Sequence, residues 1–182
     1  MKNQYTIAKQ LQPFLRKNDF AHCETVIYDT LSHDPNSPFN FAMQSHFNND
    51  PKTVAASFDQ FFEREQKKYK IAAAYAEMNG FNINPDRWYF DLFAYKLFGG
   101  HDDYDWLSEW DSDDAGHITL TGMEKLQHVY QTENLSNTNA GIASLLVLVR
   151  FQQLIHAAIP FMKNKNFPIL VTAHDYEFMY EG

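Results

Sequence analysis

Apolar residues recur three or four positions apart through the first third of the chain, the spacing that gathers side chains on one side of an α-helix. Ile7, Leu11, Phe14 and Leu15 define one such face within residues 5–16, and Val26, Ile27 and Leu31 define another within residues 20–31. The polar break Lys17-Asn18-Asp19 separates them. Residues 32–38 carry turn chemistry, with Ser37 placed to cap a brief helix running to Phe47 and Pro38 at its first position. Asp50-Pro51 repeats that start signal. Behind it Phe58, Phe61, Phe62, Tyr69, Ala72 and Ala76 share a side, which predicts one long helix ending at Asn79-Gly80. Its other side, with Glu63, Arg64, Lys67, Lys68, Lys70 and Glu77, reads as a solvated face on which Glu63 supports Lys67 one turn on.

Past Pro85 the pattern changes. Residues 88–98 are half aromatic and lie between Asn84-Pro85 and Gly99-Gly100, which predicts a strand buried on both faces. A helix is the alternative for this run, and it would make the fold all-α. Tyr104, Trp106, Ser108 and Trp110 alternate with Asp105, Leu107 and Glu109, the period of a half-buried strand. Ile118 to Leu120 is a third short strand. Thr121 and Glu124 then have the spacing of a capping box, ahead of a helix carrying Met123, Leu126, Val129 and Tyr130. After residues 136–139, Ile142, Leu145, Leu146, Val149, Leu154 and Ile155 mark a long, largely buried helix stopped by Pro160. Residues 167–180 return to strand composition. The expected fold is therefore α+β: a mostly helical domain with a small, mainly antiparallel sheet of three to four strands. No repeat or low-complexity linker interrupts residues 1–182, so a single domain is expected.

Composition supports a folded chain, with 45% hydrophobic and 16% aromatic residues against a net charge of -8. The N-terminus lacks the apolar run of a secretory signal, and the apolar run at residues 142–149 is far shorter than the roughly 20 residues of a membrane span. The lone cysteine, Cys23, has no internal disulfide partner. The cytoplasm is the expected compartment. Charge divides unevenly: residues 1–90 hold ten Lys plus Arg and ten Asp plus Glu, while residues 91–182 hold five and thirteen. Between Lys96 and Lys125 no basic residue occurs, and such a field argues against a nucleic-acid or anionic-membrane partner.

Candidate chemistry concentrates in the same acidic stretch. Asp111, Asp113, Gly116 and Ile118 fit the first, third, sixth and eighth positions of an EF-hand calcium loop, but Ala115 and Gly122 stand where oxygen donors are required. His101 and His117 flank the segment and, with Asp111 and Asp113 or with Asp102, Asp103 or Asp105, are candidate transition-metal ligands without diagnostic spacing. Cys23 follows His22 directly, and neighbours on a helix do not face each other, so they form no catalytic pair. His156, on the apolar helix, reads as a hydrogen-bonded core histidine. Asp91, Glu109 and Asp111 offer carboxylate pairs only by abundance, since seven acids fall within residues 101–114. No cofactor signature occurs: GxSxG, GxxxxGK[ST] and GxGxxG are all missing.

The remaining reading is a binding one. Tyr104 interleaved with Asp102, Asp103, Asp105, Glu109 and Asp111 combines an aromatic anchor with a negative field, the mixture suited to a basic protein partner. The sequence thus points to a non-enzymatic acidic binding protein, of the kind that masks a basic surface as immunity and inhibitor proteins do. A metal-dependent protein built on His101 and His117, and a structural subunit that self-associates, are the alternatives.

Overall fold

The computed structural model describes residues 4–80, 84–176 and 178–182. Helices α1 (Gln4–Leu15) and α2 (Phe20–Leu31) form where the apolar spacing predicts them, and Asp19 caps α2 by accepting from the His22 amide. A 3-10 helix, Pro38–Gln44, follows, with no side-chain cap from Ser37. Helix α3 (Pro51–Glu65) starts under an Asp50 cap. The sheet comprises β1 (Ala73–Met78), β2 (Tyr89–Tyr95), β3 (Ile118–Thr119), β4 (Ile169–Ala173) and β5 (Tyr180–Glu181), in the order β3-β2-β1-β4-β5. Helices α4 (Glu124–Thr132) and α5 (Thr138–Ala158) make the crossover that brings β4 parallel to β1; the other pairings are antiparallel. The fold is α+β, with one parallel pairing in an otherwise antiparallel sheet.

Two expectations are corrected. The long helix predicted from Pro51 to Asn79 stops at Glu65, and its second half is the central strand β1. Alanine at 73, 74 and 76 favours a helix locally, yet these residues are buried on both sides of the sheet, where small side chains let helices and overlying chain approach closely. The half-buried strand predicted at residues 104–110 is instead a 3-10 turn, Asp105–Ser108. The capping box takes a different form too: the Glu124 carboxylate accepts from the Gly122 amide, while the Thr121 amide bonds to Asn49.

The two faces of the sheet differ. Ala74, Ala76, Met78, Phe90, Leu92, Ala94 and Val171 turn into the main core with the helices. On the other face Ala73, Tyr75, Tyr95, Leu170 and Met179 form a smaller cluster, roofed by Phe93, Tyr104, Trp106 and Leu107. Among the described residues one helical stretch, Thr138–Phe161, is long and apolar enough to cross a membrane, and 78% of that window is buried inside the fold. It is the central core helix.

Candidate functional site

The acidic segment is a strap laid over the outer face of the sheet. Trp106 packs edge-on against Tyr95 (4.8 Å) and Phe98 (5.6 Å) and donates from Nε1 to the Gly100 carbonyl. The Tyr95 hydroxyl donates to the Leu107 carbonyl at 2.8 Å, fixing the turn from below. Asp103 accepts from the Asp105 amide, so one of the candidate acids also shapes the backbone. Tyr104 is half-buried beneath the strap, and burial raises its phenol pKa. Trp110 packs tilted against Phe93 at 4.8 Å yet remains 52% exposed.

The acids fall into two groups. Asp111 accepts from the Lys96 amide and pairs with its ammonium at 3.0 Å; those bonds hold its carboxyl below the usual range. Asp113 pairs with Lys68 at 2.6 Å, and its carbonyl accepts from Arg64. Together with Ser112, whose hydroxyl accepts from the Ala94 amide, these residues cover the edge of β2 that the two-residue β3 leaves open. In contrast, Asp102, Asp103, Asp105 and Glu109 are exposed and make no ion pair among the described residues. Asp111 thus serves the fold more than the open acidic face.

The metal candidates do not converge. His101 Nδ1 lies 3.3 Å from Glu181, whereas His117 Nδ1 contacts Asp91 at 2.7 Å. With Asp111 and Asp113 held by lysines, no group of three or more His, Cys, Asp or Glu is arranged for a metal among the described residues. Cys23 is fully buried, and desolvation pushes its thiol up to about 12; His22 stacks on Phe14 instead of pairing with it. His156 Nδ1 meets the Tyr180 hydroxyl at 2.6 Å, a hydrogen-bonded core-edge histidine.

Sequence periodicity did not reveal the polar row on the outer face. Glu77 and Asp91 stand directly opposite each other in the β1–β2 register, an unfavourable like-charge placement. His174 meets Glu77 at 3.2 Å and His117 meets Asp91, with Tyr89 lying 4.0 Å from the His117 ring. The only hint was the alternation of β2 itself, which puts Tyr89, Asp91 and Phe93 on one side. Hollows of about 520 Å³ (Arg16, His101, Tyr104, Glu181) and about 490 Å³ (Arg64, Lys67, His117) border the strap and its continuation. A larger one, about 810 Å³, lies away from it between α1 and the chain at Asp175, Tyr176 and Phe178, with Leu145 of α5. No family model, curated protein or solved structure matches the chain.

At the end of α3, joined through Lys68 to Asp113, sits a buried carboxylate, Glu65, bonded by Arg64 (2.7 Å) and Lys68 (3.0 Å) and approached by the Tyr69 hydroxyl. Burial opposes its charge, but the hydrogen bonds from Arg64 and Lys68 outweigh burial and leave its pKa below the ordinary 4.5. Because the folded value is the lower one, this contribution to stability is present above pH 4.5 and is lost as pH falls through the folded value. Urea midpoints measured from pH 6 to pH 3 are expected to fall less steeply for Glu65→Gln than for the wild type. Equal slopes would remove Glu65 from the acid response.

Proposed function

We propose that the protein is a non-enzymatic binding domain whose strap, residues 97–110, docks on a basic surface of a partner protein. One observation carries this reading. Of the five large hydrophobic residues that stand exposed among the described residues, Leu97 (80%), Phe98 (37%) and Trp110 (52%) lie in this stretch, side by side in sequence with Asp102, Asp103, Asp105 and Glu109, which make no ion pair. Exposed apolar side chains cost solvation unless a partner covers them, and the surrounding acids select a partner of positive charge. The strap is anchored by Trp106 and Tyr95, so the charges are presented on a fixed surface, which lowers the ordering cost of docking. An inhibitor or immunity protein that masks a basic site, acting in the cytoplasm, is the functional class that combines these properties.

The test is kinetic. Tagged protein captures its partner at low salt, and association of the purified pair is then followed by surface plasmon resonance. A basic partner is expected, and the combined change Asp102→Asn, Asp103→Asn, Asp105→Asn and Glu109→Gln should slow association roughly tenfold or more at low ionic strength. An association rate indifferent both to salt and to these four substitutions would sink the proposal. Self-association through Leu97, Phe98 and Trp110, detected by sedimentation as a salt-insensitive dimer, would point instead to a structural subunit.

A further inference from the structure

A second surface lies around the edge of the sheet from the strap, between α3 and residues 115–118. Gln60, Glu63, Arg64 and Lys67 form one wall of this hollow of about 490 Å³, and Gly116 and His117 form the other. Two of its polar groups, Arg64 and His117, are held in place before any ligand arrives. Arg64 donates from Nε to Glu65 at 2.7 Å and from Nη2 to the Asp113 carbonyl at 3.0 Å, which leaves Nη1 uncommitted by these bonds. His117 is fixed through Nδ1 by Asp91 at 2.7 Å and by the Tyr89 ring at 4.0 Å, so Nε2 is the ring nitrogen left for another partner. The turn that delivers His117 is itself locked: Gly116 has φ +73, and its amide donates to Asp114 Oδ1 at 2.7 Å. Lys67 is exposed and makes no ion pair among the described residues.

We propose that this hollow is a binding site for a phosphate group, with Arg64 and Lys67 as its donors and His117 Nε2 accepting from a phosphate hydroxyl. The nearby acids already have partners in the fold: Asp91 bonds His117, Glu65 bonds Arg64 and Lys68, Asp113 pairs with Lys68, Asp114 accepts from the Gly116 amide, and Glu63 faces Lys163 at 3.9 Å. With Arg64 and Lys67 against Glu63, the lining carries one net positive charge in a protein whose total is -8. A planar guanidinium and an ammonium offer donors to separate oxygens of a tetrahedral anion, and an imidazole nitrogen can accept from the hydroxyl that a protonated phosphate carries. An ordinary solvated helix face has the lysine and the arginine but not the fixed guanidinium and imidazole, and preorganised groups spare the ligand the cost of ordering them.

The experiment uses the full chain and inorganic phosphate, with the His117 ring resonances followed by NMR and chloride at equal ionic strength as the control. Saturable shifts of His117 that chloride does not reproduce are expected. Lys67→Met, at a residue with no ion pair to lose, should weaken phosphate binding roughly tenfold, the loss of one charge-assisted hydrogen bond. Asp91→Asn should also weaken it by releasing the ring, while Glu109→Gln on the strap should leave it unchanged. Shifts that chloride reproduces, or an affinity that Lys67→Met does not alter, would overturn the proposal. Neither result bears on docking through the strap, whose variants are separate.

Discussion

Replacing Arg150 by methionine is expected to destabilise the protein by roughly 3–5 kcal/mol, the range for breaking a buried ion pair from one side. Arg150 projects from the middle of the most apolar helix, α5, and is buried. Its guanidinium donates to the carbonyls of Ala42, Met43 and Ser45 and to the Tyr28 hydroxyl, and it pairs with Glu24 at 3.2 Å. Those carbonyls end the 3-10 helix Pro38–Gln44, where the chain runs out of backbone donors of its own. One side chain therefore satisfies a helix end and joins it to α2 and α5. Methionine has a similar volume but leaves the carbonyls and Glu24 without it. Arg150→Lys should fall between the two, because an ammonium is a point donor and cannot span the same fork. Urea denaturation measures the difference; a loss under 1 kcal/mol for Arg150→Met would mean that water replaces the guanidinium.

Arg150 also shows where sequence reading stops. Apolar spacing located α1, α2, α4 and α5, and composition between turn signals located β2 and β3, although β2 leaves Tyr89, Asp91 and Phe93 half-buried instead of burying both faces. Spacing failed at β1, where alanines that favour a helix form the central strand. There, burial on both faces and pairing with β2 and β4 override local preference. It failed again at residues 104–110, where Tyr104, Trp106 and Leu107 reach the sheet from a tight turn, so the alternation was coincidental. The acidic segment itself was visible in the sequence, but the division of its charges was not. Asp111 is claimed by a lysine 15 residues away and Asp113 by one 45 residues away, distances at which pairing leaves no local signal. The same holds for His117 and Asp91, 26 residues apart.

Trp106→Ala is expected to lower stability by roughly 2–3 kcal/mol, below the range for a fully buried tryptophan because this ring is half-buried. The local effect should be larger than the global one. Trp106 joins the strap to Tyr95 and Phe98 and closes on Gly100, so without it the turn keeps only the Tyr95 hydroxyl and its own backbone bonds. Amide exchange at Leu107 and Glu109, whose N–H groups close the turn, should accelerate more than exchange in β1. Gly99→Ala should act in the same direction, since a Cβ there would strike the Trp106 ring. These substitutions also separate the two parts of the docking proposal. Neutralising Asp102, Asp103, Asp105 and Glu109 removes charge, so association slows and its salt dependence flattens. Trp106→Ala keeps every charge but frees the strap, so the salt dependence should persist while the complex weakens by the cost of ordering the segment. If Trp106→Ala leaves both exchange and affinity unchanged, the strap is held by the Tyr95 hydroxyl and its own turn, and the acids alone define the surface.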